Sequence, residues 1–154
     1  MQKILLEEEI VKTKECNCPK NKICPMGGKC LNSNLIYNAA VETRNEVKNY
    51  IGLCSTTFKA RLAVHTQSFK NNNTNQTSLS KYITELKNEN VDYKINWKIV
   101  DRGKPYTPVN DVCQLCTKEA YYIIFNPEMA DLNSKNEIFN SCRHKKSALL
   151  YNCV

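Results

Sequence analysis

The arrangement of the nine cysteines restricts this chain of 154 residues more than any other feature. Cys16, Cys18, Cys24 and Cys30 fall within one segment of 15 residues that has no hydrophobic periodicity. Such a segment cannot fold by burying an apolar face, whereas four thiolates can enclose a tetrahedral Zn²⁺. We therefore predict a zinc-bound loop here, with four reduced, metal-free thiols as the alternative.

A second group combines Cys113 and Cys116 with Cys142 and His144. The Cys-x-x-Cys spacing places two sulfurs on one metal ion, and Cys-x-His can supply the other two ligands. Cys-x-x-Cys is also a redox motif, but a thioredoxin-like site requires it within a βαβ unit. Here the motif begins a predicted helix after a proline-rich loop. The pattern therefore favours structural zinc and a total of two zinc ions per chain.

An odd number of cysteines in short groups favours metal binding in a reduced, intracellular protein over a disulfide framework. Cys54 and Cys153 belong to neither group and are expected to be ordinary thiols. The alternative, a disulfide-bonded secreted protein, would suit the sequons at Asn72 and Asn75. However, acidic residues follow Leu6 before a signal-peptide core could form, and no apolar run approaches the roughly 20 residues of a membrane span. We expect an intracellular, nuclear protein with no membrane partner.

The length and the charge restrict the architecture and the partner. A chain of 154 residues suits one compact domain with its own core. The 22 Lys and Arg exceed the 15 Asp and Glu, which gives a formal charge of +7. This excess favours a polyanionic partner without identifying it.

The hydrophobic pattern predicts seven elements. We predict helices over residues 4–14, 55–69, 78–88 and 111–125, and strands over 34–43, 47–53 and 91–100. The first two strands are expected to form a hairpin. We assign residues 1–33 to an N-terminal helix and zinc-binding cysteine segment. Residues 34–154 form the main domain, with a basic C-terminal tail tethered by zinc.

An Arg/His pair is unusual in the predicted helix over residues 55–69. His65 shares one helix face with apolar residues, and Arg61 lies beside it one turn earlier. Two donors at this spacing suit a phosphate group. The alternative is a core-edge histidine and an arginine that extends its head group to solvent.

Glu119 is also unusual, because the helical period places it among apolar residues such as Leu115 and Ile123. A carboxylate on an apolar face must be paired, protonated or bound to a cation. Glu119 is therefore a candidate metal ligand.

Taken in order, these residues resemble the GIY-YIG endonuclease superfamily, and most closely the nuclease domains of Penelope-like retroelements and related mobile elements. The likeness runs through Leu35-Ile36-Tyr37, Tyr50-Ile51-Gly52, the Arg61/His65 helix, the third strand, Glu119 and Asn133. The resemblance implies an α+β fold, a three-stranded antiparallel sheet flanked by helices. It also implies DNA as the substrate and a reverse transcriptase as a fused or associated partner. Because one active site would have to cut two strands, a homodimer on DNA is a further expectation.

The resemblance further implies a role for each site residue in a divalent-metal-dependent endonuclease. Tyr37 would orient or deprotonate the attacking water, and Tyr50 would hydrogen-bond this water or the phosphate. Arg61 and His65 would bind the scissile phosphate. Glu119 would hold a catalytic Mg²⁺ or Mn²⁺, distinct from the structural zinc. Asn133 would fix the neighbouring geometry.

Basic residues are expected to contact the DNA phosphates without reading sequence. The candidates are Lys59, Lys98, Arg143, Lys145 and Lys146. The alternative function is a catalytically inactive, zinc-stabilised nucleic-acid-binding module with the same fold.

Overall fold

A computed structural model describes residues 14–70, 77–109 and 112–134, together with Cys142 and His144. The N-terminal helix predicted over residues 4–14 lies almost entirely outside the described residues. Arg143, Lys145, Lys146 and Cys153 lie outside them as well. Within the described ranges, no helix has the length and apolar character needed to cross a membrane.

Three antiparallel strands form the sheet: β1 (Leu35–Glu42), β2 (Val47–Cys54) and β3 (Lys94–Arg102). The spatial order is β2-β1-β3, so β1 is central. The predicted hairpin of β1 and β2 is confirmed, and its turn is closed by a bond from the Thr43 N–H to the Glu46 carbonyl (2.9 Å).

Strand β3 begins three residues later than predicted, and the cap of the preceding helix takes up the first residue of that stretch. Asn90 has a positive φ of 54°, a conformation that favours Gly or Asn after a helix. The Val91 N–H still bonds to the Leu86 carbonyl (2.9 Å). Residue 91 therefore belongs to the helix cap rather than to the sheet.

The helices are α1 (Phe58–Lys70), α2 (Ser78–Asn88) and α3 (Gln114–Phe125), and a 3₁₀ turn follows at Pro127–Met129. Helix α2 has the predicted bounds, with the Thr77 side chain accepting a bond from the Ser80 N–H (3.2 Å). Helices α1 and α3 each begin three residues later than predicted. In α1, Thr57 is the cap, and its hydroxyl accepts from the Ala60 N–H (3.2 Å).

The sheet separates two hydrophobic cores. Helices α1 and α2 cover one face and form the first core, which includes Leu35, Tyr37, Phe58 and Ile83. Helix α3 covers the other face and forms the second core around Ile36, Ile51, Leu115 and Ile123. The alternation of β1 explains this division, since successive side chains of a strand point to opposite faces. The predicted α+β class with a three-stranded antiparallel sheet is confirmed.

A β-bulge interrupts the pairing of β1 with β3. Ile36 pairs with Asp101 and Tyr37 pairs with Ile99, so Val100 is an extra residue on β3. Val100 packs into the second core, and the Asp101 carboxylate accepts a bond from the Tyr122 hydroxyl of α3 (3.1 Å). Two successive residues of β3, Val100 and Asp101, therefore make contacts on the face of the sheet that α3 covers.

Gly52 is required where the Tyr37 side chain crosses β2. The two residues are cross-strand neighbours, and a Cβ at position 52 would overlap the Oη, Cζ and Cε2 atoms of the Tyr37 ring. The ring is buried in the first core and cannot move aside freely.

We predict that Gly52→Ala destabilises the protein by about 1 to 3 kcal/mol, the usual cost of overpacking a core. Urea denaturation measures this loss. Val47→Ala, at the exposed beginning of the same strand, is the control and should change stability by less than about 0.5 kcal/mol. Equal losses in the two variants would contradict the prediction.

Candidate metal centres and candidate active site

Cys16, Cys18, Cys24 and Cys30 converge as predicted and are called the N-terminal cluster below. Their sulfur atoms all lie within 4.8 Å of one another. The Sγ atom of Cys30 is 3.7 Å from that of Cys18 and 3.6 Å from that of Cys16. Four sulfurs at 2.3 Å from a tetrahedral Zn²⁺ would be about 3.8 Å apart, whereas a disulfide requires about 2.0 Å. The cluster could therefore hold a metal ion.

The backbone between Cys24 and Cys30 prepares these thiols for metal binding. Gly27 and Gly28 have positive φ values of 59° and 88°, which bend the chain tightly after Cys24. Burial raises the pKa of the Cys24 thiol, but the N–H groups of Met26 and Gly28 stabilise the thiolate and lower the pKa to about 6. Because the thiolate is the form that binds metal, Cys24 is a ready ligand at neutral pH.

Cys113, Cys116, Cys142 and His144 form the second predicted group, called the C-terminal cluster below. The Nδ1 atom of His144 is 3.3, 3.5 and 3.7 Å from the sulfurs of Cys113, Cys116 and Cys142. Burial lowers the pKa of His144 and so favours the neutral, metal-binding imidazole. Cys113 is the N-cap of α3, so this cluster brings Cys142 and His144 to the beginning of that helix.

All eight described cysteines are free thiols. Cys54, which was predicted to be an ordinary thiol, is buried in the first core and belongs to neither cluster. Seven of the eight described cysteines therefore belong to two candidate metal centres, and none of the eight forms a disulfide.

The candidate active site lies where α1 meets the central strand. The Tyr37 hydroxyl accepts a bond from Arg61 Nε (3.2 Å), and it is 2.7 Å from His65 Nε2. The Tyr37 ring packs edge-on against Phe58, with ring centroids 5.5 Å apart. A side chain of β1 and two side chains of α1 therefore meet at one oxygen atom.

Electrostatic effects extend this site to β2 and α3. Burial raises the pKa of Tyr37 to about 12; Arg61 opposes this rise, and the negative charge of Glu119 adds to it. Burial lowers the pKa of Arg61, but Tyr37 and Tyr50 outweigh burial and raise it. Tyr37 therefore interacts electrostatically with Arg61 and Glu119, and Arg61 interacts with Tyr50 as well.

His65 was predicted to bind the scissile phosphate, and the structure corrects this assignment. Its side chain is 1% exposed, and the ring lies between Phe69 and Trp97 with centroids 6.0 and 5.6 Å away. Burial, with a smaller contribution from Arg61, lowers its pKa to about 3. His65 is a neutral residue beneath Tyr37 and has no surface for a phosphate.

Tyr37 was predicted to orient or deprotonate the attacking water, but its side chain is buried in the structure. The residue has 0% exposure, and its hydroxyl is shared between Arg61 and His65. A phenol with a pKa of about 12 remains protonated at neutral pH. In this structure Tyr37 holds Arg61 in place rather than contacting solvent.

Asn133 fixes the outer edge of β2 through two side-chain hydrogen bonds. Its Oδ1 accepts a bond from the Ile51 N–H (2.8 Å), and its Nδ2 donates to the Ile51 carbonyl (2.8 Å). The Leu132 N–H adds a bond to the Asn49 carbonyl (2.9 Å). These contacts hold the backbone on both sides of Tyr50.

The two described DNA-binding candidates lie on different sides of the molecule. Lys59 is exposed at the beginning of α1, and its Nζ donates to Asn17 Oδ1 (2.6 Å). Lys98 is exposed on the sheet face opposite to Trp97, which contacts the first core. The structure does not bring these two lysines onto one surface.

Trp97 is a part of the site that the sequence did not single out. Trp97 packs beside both Tyr37 and His65, with centroids 5.9 and 5.6 Å away. The alternation of β3 assigned Trp97 to the buried face, but no local signal showed which side chains it would meet.

No protein-family model matches the chain, and searches of curated proteins and of solved structures find no match. The candidate sites are therefore interpreted from their own geometry and chemistry.

We predict that protein purified without chelator carries two zinc ions per chain, one in each cluster. Cys30→Ser and Cys116→Ser should each lose one ion, because each removes one thiolate ligand. Cys54→Ala is the matched control and should retain both ions. Elemental analysis measures the occupancy, and fewer than one ion in the wild type would contradict the prediction.

We predict that burial of His65 makes the protein less stable as the pH falls. Its folded-state pKa of about 3 lies below the ordinary value of 6.5, so the unfolded chain binds the proton first as the pH falls. The contribution of His65 to the free energy of unfolding is complete above the pKa of the unfolded chain and is lost between about pH 6.5 and 3. The expected loss between pH 7 and 5 is about 2 kcal/mol. Denaturant unfolding at the two pH values measures the loss.

His65→Gln is the comparison for this prediction, because glutamine can bond to Tyr37 without titrating in this range. Both proteins contain the same clusters, so loss of metal in acid affects them alike. The variant should lose about 2 kcal/mol less than the wild type between the two pH values. The same acid dependence in both proteins would overturn the assignment.

Proposed function

We propose that this protein is a GIY-YIG-type endonuclease that uses a divalent metal ion to hydrolyse DNA phosphodiester bonds. The observation that carries this proposal is the meeting of Arg61 with Tyr37, at a phenol that the charge of Glu119 also reaches. The proposal thus combines a cation from α1 and a carboxylate from α3, both of which influence the same phenol.

Phosphodiester hydrolysis requires an oriented water, neutralisation of the charge that develops on the phosphate, and stabilisation of the leaving oxygen. Arg61 suits the second task. Its Nε is used by Tyr37, and a guanidinium has four further N–H donors that can address phosphate oxygens. Tyr37 and His65 act as positioning residues for Arg61.

Glu119 suits a catalytic cation. It lies half-buried on α3, and a carboxylate is the kind of ligand that Mg²⁺ and Mn²⁺ prefer. A bound ion would neutralise phosphate charge and acidify a water molecule. The thiolate clusters have the softer ligands that zinc prefers, so the catalytic and structural metals would occupy separate sites.

Tyr50 and Asn133 complete the proposed site from β2. Tyr50 would hydrogen-bond the water or the phosphate, and Asn133 holds the backbone of the next residue at the sheet edge. In the wider proposal the chain is the nicking domain of a mobile element, works in the nucleus and acts with a fused or associated reverse transcriptase.

The second candidate function is a catalytically inactive, zinc-stabilised nucleic-acid-binding module. The burial of Tyr37 and His65 favours it, because a hydrogen-bonded pair in a core needs no catalytic explanation. The two candidates differ in what Glu119 does, since a binding module has no use for this carboxylate.

We predict that the protein nicks supercoiled plasmid in the presence of Mg²⁺ or Mn²⁺. Glu119→Gln and Arg61→Ala should each reduce the rate by at least about 10²-fold, the usual effect of removing one preorganised charge-stabilising group. Gel electrophoresis of the plasmid forms measures the rate.

Two exposed residues give matched controls for these variants. Glu85→Gln on α2 and Arg44→Ala in the β1–β2 turn make the same changes away from the site and should leave the rate within about threefold. Equal trace cleavage by the wild type, Glu119→Gln and Arg61→Ala would refute the endonuclease and favour the binding module.

A further inference from the structure

We propose that the N-terminal cluster and the loop it holds form a basic platform that binds the phosphate backbone of duplex DNA beside the candidate active site. This inference rests on the proposed function, because DNA is the proposed substrate. It assigns a binding role to Lys20, Lys22 and Lys29, which neither the motifs nor the family resemblance indicated.

The charge of this segment has one sign. From residue 16 to residue 41 the only charged side chains, apart from the cysteines, are Lys20, Lys22 and Lys29, and all three are exposed. Lys59 is bonded to Asn17 of the same segment, and among the described residues Lys14 and the acidic Glu15 directly precede Cys16. A zinc ion with four thiolates carries two net negative charges, which these lysines outnumber. The centre is half-buried, whereas the lysines extend into solvent, where phosphate groups would meet them.

The loop over residues 19–23 projects from the protein and is held at both ends. Ile23 is 96% exposed, so the tip does not pack on the core. Cys18 and Cys24, at the two ends, are both members of the cluster. A bond from the Lys22 N–H to the Pro19 carbonyl (3.0 Å) forms a turn within the loop. A short loop fixed in this way loses little conformational entropy when its lysines bind phosphates.

The platform is joined directly to α1. The Lys59 N–H donates to the Cys30 carbonyl (2.8 Å), and the Phe58 N–H donates to the Asn32 carbonyl (2.9 Å). Cys30 is also buried in the same core as Phe58. Arg61 lies one turn further along this helix. DNA bound to the platform would therefore have a defined position relative to Arg61.

The chemistry points to backbone binding without base recognition. Lysine ammonium groups bind phosphates as point charges, and each neutralised phosphate of duplex DNA adds about 0.9 to the slope of log affinity against log salt. Duplex RNA has the same phosphate chemistry and would differ through its groove shape.

The experiment compares the metal-loaded wild-type chain with the triple variant Lys20→Gln, Lys22→Gln, Lys29→Gln. Fluorescence anisotropy measures binding to a short DNA duplex and to an RNA duplex of the same sequence over a series of salt concentrations, without added Mg²⁺. The triple variant should bind DNA at least about tenfold more weakly at 0.1 M salt, and its slope should fall by about 2 to 3.

The control replaces three other exposed lysines by glutamine: Lys81, Lys87 and Lys94, on α2 and β3. It has the same net charge as the platform variant and should change the slope by less than about 1. Equal slopes for the two variants would overturn the proposal. A loss confined to the RNA duplex would assign the platform to RNA and would overturn the proposal for DNA.

Thermal denaturation and metal content confirm that the variants are folded. Failure of the proposed function would be seen separately. In that case the wild type would not nick plasmid, whereas the salt slopes of DNA binding would remain as predicted. A normal wild-type nicking rate with unaltered slopes in the platform variant would reject the platform alone.

Discussion

The hydrogen bond between the Tyr37 hydroxyl and His65 Nε2 joins the central strand to α1 through the middle of the first core. Both residues are almost fully buried, so each is the partner that the other requires. Among the described residues, no buried side-chain nitrogen or oxygen lacks a hydrogen-bond partner. The bare Cα of Gly52 leaves room for the Tyr37 ring, and the same hydroxyl holds Arg61. The candidate active site is thus an extension of the core packing.

The two cysteine clusters support the same site from opposite faces of the sheet. The N-terminal cluster is bonded through the Cys30 carbonyl to the beginning of α1, the helix that carries Arg61. The C-terminal cluster contains Cys116 in the first turn of α3, one turn before Glu119. Each candidate substrate-facing residue therefore lies on a helix whose beginning is anchored at a cluster. Metal binding in such centres contributes directly to folding, so a metal ion held by either cluster would be coupled to the geometry of the candidate site.

Much of the fold and of the metal ligation could be predicted, because both depend on short-range spacing. The period-2 pattern identified β3 and its buried side chains, and the 3.6-residue period gave the bounds of α2. Ligand spacing identified all eight cluster residues. The predicted beginnings of α1, α3 and β3 were each three residues early. At α1 the reason is tertiary, since its first N–H groups bond to Cys30 and Asn32, and at β3 the cap of α2 takes up Val91, the first residue of the predicted strand.

The sequence by itself determined which chemical groups are available: two sets of soft metal ligands, an Arg/His pair on one helix, a carboxylate on another, and an excess of lysine. Only the tertiary structure decided which of these groups face solvent. It placed His65 and Tyr37 inside the core, left Arg61 and Glu119 half-buried, and placed Lys20, Lys22 and Lys29 on the surface beside α1. The physical reason is that periodicity records the face of an element on which a residue lies. Exposure depends on what packs against that face, and those contacts join residues far apart in the chain.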